Sequence, residues 1–128
     1  MKCYTQVYAR NSLEAVATYC RAFGAKATLE MFNEEHTEYE HCELSVGKDP
    51  ILAVSEAPEE WDVSVIPGMR WQGMTFNAFE LGSADAVKKA FDVLSDGGVV
   101  IDEIHEVPWS SCCATVIDRY GVCWWISV

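Results

Sequence analysis

Hydrophobic and polar residues change rhythm several times along the chain, and the changes mark its elements. Residues 2–9 alternate, with Cys3-Tyr4-Thr5-Gln6-Val7-Tyr8 at their centre, which predicts a strand. Asn11 then offers a helix N-cap with Glu14 three positions on, a capping-box-like start. Leu13, Val16, Ala17, Cys20 and Phe23 recur at helical spacing, and Gly24 closes the helix. Strand patterns follow at 26–32, 38–46 and 51–54, with Gly47-Lys48-Asp49-Pro50 as a turn before the last. Between about 57 and 71 the periodicity fails among acidic residues, Pro58, Pro67 and Gly68, which predicts a linker.

Beyond it the order restarts. A strand is predicted over 72–81, then a helix over 83–96 with Ser83 as N-cap and Val87, Ala90, Phe91 and Leu94 as its apolar face. A strand at 98–104, a break around Pro108, and strands at 111–117 and 122–127 complete the chain, with Asp118-Arg119-Tyr120-Gly121 turning the last pair. The two helix openings echo one another: Ser12-Leu13-Glu14-Ala15-Val16 and Ser83-Ala84-Asp85-Ala86-Val87. The repeat is too long for a solenoid unit. It fits two copies of one βαβββ module, about 1–56 and 72–128, in a single α+β domain of 128 residues.

Composition narrows the function classes. Twenty acidic residues against nine basic ones give a formal net charge of −11, which disfavours phosphate backbones and anionic membranes. No transmembrane span or leader pattern is visible, so the expected location is cytoplasmic. Six cysteines at 3, 20, 42, 112, 113 and 123 lie in strand or helix patterns without C-x-x-C spacing; they read as small buried hydrophobes. Five Trp, five Tyr and five Phe furnish an aromatic core or pocket.

The stretch from Trp109 through Val116-Ile117-Asp118-Arg119-Tyr120-Gly121-Val122-Cys123-Trp124-Trp125-Ile126 resembles the C-terminal signature of PhnB-like proteins. These form a branch of the vicinal oxygen chelate superfamily, with glyoxalase I, bleomycin-resistance proteins and extradiol dioxygenases. Ala22-Phe23-Gly24, Glu43-Leu44 with Gly47, and Ser55-Glu56-Ala57-Pro58 match in the same order. The resemblance covers essentially the whole chain. It implies paired βαβββ modules forming cupped mixed sheets, and a homodimer in which modules of two chains complete each cup.

The resemblance also implies where a metal would sit: on the first and last strands of each module, facing the cup. Aligned by helix starts and glycine turns, those positions are Tyr4, Ala53, Phe76 and Trp125, none of them a suitable ligand for a divalent ion. The expectation is therefore no metal and no cofactor. Tyr4, Gln6, Phe76 and Trp125 are expected to line an aromatic cup, with Tyr8, Met74 and Cys123 on the same side and Trp109 closing it. Such walls suit a flat or cationic organic molecule. The expected function is metal-free binding and sequestration of a small organic molecule. The alternative is a lyase, isomerase or dioxygenase with an unusual or absent metal site.

His105 is the candidate general base, beside the blander reading of an exposed rim histidine. His36 and His41, among Glu38, Glu40 and Glu43, could hold a metal but read more simply as a solvated acidic strand face. The methyltransferase label often carried by PhnB-like sequences finds no support, because no glycine-rich turn opens a helix; Gly97-Gly98 follows one.

Overall fold

A computed structural model describes residues 1, 5–61 and 75–128. Its elements run β1 (Gln6–Ala9), α1 (Ser12–Phe23), β2 (Lys26–Phe32), β3 (Tyr39–Val46), β4 (Asp49–Glu56), a 3-10 turn (Glu59–Trp61), β5 (Thr75–Ala78), α2 (Ala84–Ser95), β6 (Val99–Val107), β7 (Ser110–Ile117) and β8 (Cys123–Ser127). The βαβββ order thus occurs twice. The expected strand positions 72–74, with Met74, lie outside the described residues, as do Cys3 and Tyr4.

Each module makes one four-stranded mixed sheet. The first is ordered β1-β4-β3-β2 and the second β5-β8-β7-β6. In both, the first strand pairs parallel with the last, and the other pairings are antiparallel. That parallel pair needs a crossover, which the helix supplies. Among the described residues no strand of one sheet runs close to the backbone of the other; the helices pack together and join the modules.

Local chemistry starts both helices. Ser83 Oγ accepts from the Ala86 N–H at 3.1 Å. Asn11 accepts from the Glu14 N–H at 3.4 Å and takes left-handed backbone angles, φ 59°. The Glu56 carboxylate, at the end of β4, accepts from the backbone N–H groups of Asn11 (2.9 Å) and Ser12 (2.6 Å). It satisfies donors at the positive end of α1.

The apolar face expected for α2 is observed: Val87, Ala90 and Leu94 are buried and Phe91 packs beside them. On α1 the expected face is incomplete. Ala17 is exposed, whereas Ala15, Thr18, Tyr19 and Ala22 are buried. The helix meets its own sheet, α2 and the second module, so its buried surface is wider than one stripe. Tyr19 packs on Trp124 with ring centroids 5.5 Å apart, and its hydroxyl donates to Asp118 at 2.8 Å.

Asp118 is 3% exposed and collects donors from both modules. Oδ2 accepts from the Tyr19 hydroxyl and from Trp124 Nε1, each at 2.8 Å. Oδ1 accepts from the backbone N–H groups of Tyr120 (2.9 Å) and Val122 (3.0 Å). Arg119 adds an outer clasp to Glu14 and Asp96, both at 2.8 Å. The turn expected at 118–121 is therefore also the seam between modules.

Candidate functional site

The helices cover one face of each sheet, and the opposite face is the outer one. On the first sheet, Val7, Ala9, Leu52, Val54, Cys42 and Leu44 turn toward the helices. Alternation and register then assign Gln6, Tyr8, His41, Glu43, Ala53 and Ser55 to the outer face, with Leu29 and Met31 at its edge strand. Gln6 Nε2 donates to Ser55 Oγ at 3.0 Å, and His41 Nε2 lies 3.5 Å from Glu43 Oε1.

On the second sheet Phe76, Ala78, Ala114, Val116, Trp124 and Ile126 pack inward. The outer face carries Thr75 and Asn77 on β5, Cys123, Trp125 and Ser127 on β8, Cys113 and Thr115 on β7, and His105 on β6. Trp125 is half-buried, with Asn77 on one side and Thr115 on the other. The centres of both outer faces are made of small residues closed off from solvent: Ala53 and Ser55 on the first, Cys113, Cys123 and Ser127 on the second.

The expected site residues divide. Gln6 and Trp125 both face outward, but on different sheets, and among the described residues their strands make no contact with each other. Tyr4 lies outside the described residues. Phe76 faces the other way: it pairs with Trp124 and packs against that indole, centroids 5.6 Å apart and planes at 75°. The cause is a loop length. Two residues separate β1 from α1, but five separate β5 from α2. The three-residue excess is odd, so an alignment counted back from the helix lands on the wrong face of β5. Thr75-Phe76-Asn77-Ala78 itself alternates polar and apolar, the signal that the helix-start alignment overrode.

Trp109 also departs from expectation. Pro108-Trp109 is the tight turn of the β6–β7 hairpin and not a covering segment, and the indole is 74% exposed at its tip. His105 belongs to β6, not a loop, and lies directly opposite Cys113. Its Nε2 is 3.6 Å from Cys113 Sγ, a contact the sequence reading did not contain. Burial pushes the Cys113 thiol up, with smaller contributions from Cys112 and Asp102.

Among the described residues no three His, Cys, Asp or Glu side chains converge as a metal-binding group. A cleft of about 710 Å³ is present elsewhere on the molecule. It opens at the module seam between the β3–β4 turn, the end of α1 and the β5–α2 connection, with Phe23, Ile51, Phe79, Lys89 and Trp124 in its wall. The outer faces carry an aromatic ring, amides, hydroxyls and a thiol–imidazole pair on sheet surfaces.

Sheet order, the parallel first-to-last pairing and the repeated module define the glyoxalase/bleomycin-resistance fold. Solved structures place the chain within it. It is similar to a PhnB protein from Bacillus cereus described as a putative 3-demethylubiquinone-9 3-methyltransferase: 15% identity, 99% of this chain and 98% of that one covered, TM-score 0.73. A Pseudomonas aeruginosa protein matches at 19% identity over 99% and 96% of the two chains, with a TM-score of 0.71. A glyoxalase/bleomycin resistance protein/dioxygenase family enzyme from Burkholderia phytofirmans PsJN matches at 20% over 96% and 94%, TM-score 0.61. No family model and no curated protein matches the sequence.

Proposed function

We propose that the chain is a PhnB-like member of the glyoxalase/bleomycin-resistance proteins that binds and sequesters a small organic molecule on its outer sheet faces without a metal. The observation that carries this reading is the outer face of the second sheet. Its centre is paved with small residues, and the half-buried Trp125 indole stands between Asn77 and Thr115. An aromatic wall beside a few fixed polar groups suits a flat organic ligand, and the chain's net charge of −11 favours a cationic one.

A second copy of the chain is the proposed partner. Leu29 and Met31 on the first sheet's outer edge, and Val99 and Ile101 on β6, are exposed apolar side chains. Burying them against another sheet would stabilise a pair. It would also allow Gln6 of one protomer and Trp125 of its partner to share a cup. The five described cysteines are free, which accords with the proposed cytoplasmic location.

Titrating the protein with flat cationic dyes while following tryptophan emission tests the reading. Saturable quenching that Trp125→Ala weakens by about tenfold or more, the loss of roughly 1.4 kcal/mol, is expected. Saturable binding unchanged by Trp125→Ala and Gln6→Ala would refute the site.

A further inference from the structure

The β6–β7 pairing holds a second kind of chemistry. His105 stands directly across from Cys113, with Nε2 and Sγ 3.6 Å apart. The other ring nitrogen, Nδ1, is 2.7 Å from the backbone carbonyl of Glu103. A carbonyl oxygen can only accept, so in the neutral ring Nδ1 carries the proton and Nε2 offers its lone pair to the thiol. A thiol, a base within reach of its proton, and a third group that fixes the base are the three parts of an activated sulfur nucleophile.

The surroundings decide how such a pair would act. Cys113 is closed off from solvent yet stands outside the core cluster, and the exposed His105 ring lies against it. Because the thiol is pushed up, the resting sulfur is S–H and needs a base to become reactive at neutral pH. Exposed side chains change rotamer in picoseconds to nanoseconds, so the ring can admit a reagent far faster than alkylation proceeds. Two positions along β7, Thr115 faces Trp125, which sets an aromatic surface on the same sheet face as the thiol.

We propose that Cys113 and His105 form a nucleophilic dyad that covalently captures small α,β-unsaturated carbonyl compounds. Sγ attacks the β-carbon, and the new S–C bond forms as the C=C π bond opens. The thiol proton passes to His105 Nε2 and from there to the α-carbon. The product is a neutral thioether with the imidazole restored, and no oxidant, reductant or further reactant is consumed. The dyad's chemistry requires neither a second copy of the chain nor a molecule bound beforehand.

N-ethylmaleimide, a small unsaturated imide, is the probe. Its rate at each cysteine of the full chain is read by peptide mass spectrometry, in the native protein and in His105→Ala and His105→Gln. Among the described cysteines Cys113 is expected to react faster than the equally buried Cys42, Cys112 and Cys123, which have no such imidazole partner. Both variants should slow Cys113, relative to Cys42, by about tenfold or more. His105→Ala also uncovers the sulfur, so a ring that served only as a lid would produce the opposite result, a faster Cys113. That acceleration, or an unchanged ratio in either variant, overturns the proposal. Loss of fold would raise every cysteine together and is excluded by using the ratio.

Discussion

Replacing Asp118 with alanine should cost more stability than its place in a turn suggests. The side chain accepts four hydrogen bonds, two from backbone N–H groups of its own turn and two from Tyr19 and Trp124. Tyr19 is fully buried and Trp124 is 4% exposed, so their donors would be left inside the protein without an acceptor. Each hydrogen bond to a charged group contributes roughly 1.5–3 kcal/mol, and an orphaned buried donor costs about 1–3 kcal/mol. Relief of the buried carboxylate's own desolvation offsets part of the sum, leaving about 3–5 kcal/mol. With a urea slope of about 1–3 kcal/mol per molar, the unfolding midpoint should fall by about 2 M. Asp118→Asn keeps the shape but turns an amide N–H₂ toward donors on one side, so about 2–3 kcal/mol should still be lost. Tyr19→Phe should lose only about 1–2 kcal/mol, because Oδ2 keeps Trp124. Combined with Asp118→Ala it should add much less than that. A loss below about 1 kcal/mol in Asp118→Ala, or full additivity with Tyr19→Phe, would refute the role of Asp118 as the clamp between modules.

Three other outcomes are expected. Gly98→Ala would drive a Cβ into the Ile117 carbonyl oxygen and set it 3.0 Å from that of Leu94, so the α2–β6 corner must move; thermal unfolding should show a loss of about 2–4 kcal/mol, and an unchanged midpoint would contradict the close approach. Glu56→Ala frees the N–H groups of Asn11 and Ser12 and should cost about 1–2 kcal/mol in urea unfolding, whereas Glu56→Asp should cost as much only if its shorter side chain fails to reach them. Burial pushes the Cys42 thiol up to about 11 and raises the Tyr19, Tyr39 and Tyr120 hydroxyls, so the unfolded chain releases these protons first and binds fewer of them as pH rises. Stability should hold from neutral pH to about 9 and fall above it, and urea midpoints that stay constant to pH 11 would contradict the burial of these groups.

Much of the scaffold was legible because it depends on local chemistry. Ser83 and Asn11 announce their helices, the alternation at 26–32 gives β2 its observed limits, and the apolar spacing of α2 faces the core. The elements that escaped depend on distant partners. Asp118 looks like an ordinary turn aspartate until Tyr19, 99 positions earlier, is folded against it. Phe76 was misassigned because loop lengths differ between the modules, although its own alternation with Thr75 and Asn77 pointed inward. The Cys113–His105 contact lies deeper still. Counting back from the Val107–Ser110 pair would place His105 opposite Cys112, whose side chain turns to the core. A register shift between His105 and Val107 moves its partner to Cys113 on the outer face, and nothing in the local composition marks that irregularity. Tyr4 and the linker expected at about 57–71 beyond Trp61 lie outside the described residues.

Mass and metal content of the native protein, purified without chelator or histidine tag, test the central claim most directly. Metal-free capture in a cup shared by two copies predicts a dimer of twice 14.3 kDa that carries no stoichiometric metal. A monomer, or close to one equivalent of iron, manganese, nickel or zinc per chain, would contradict it and turn attention to a metal-dependent enzyme.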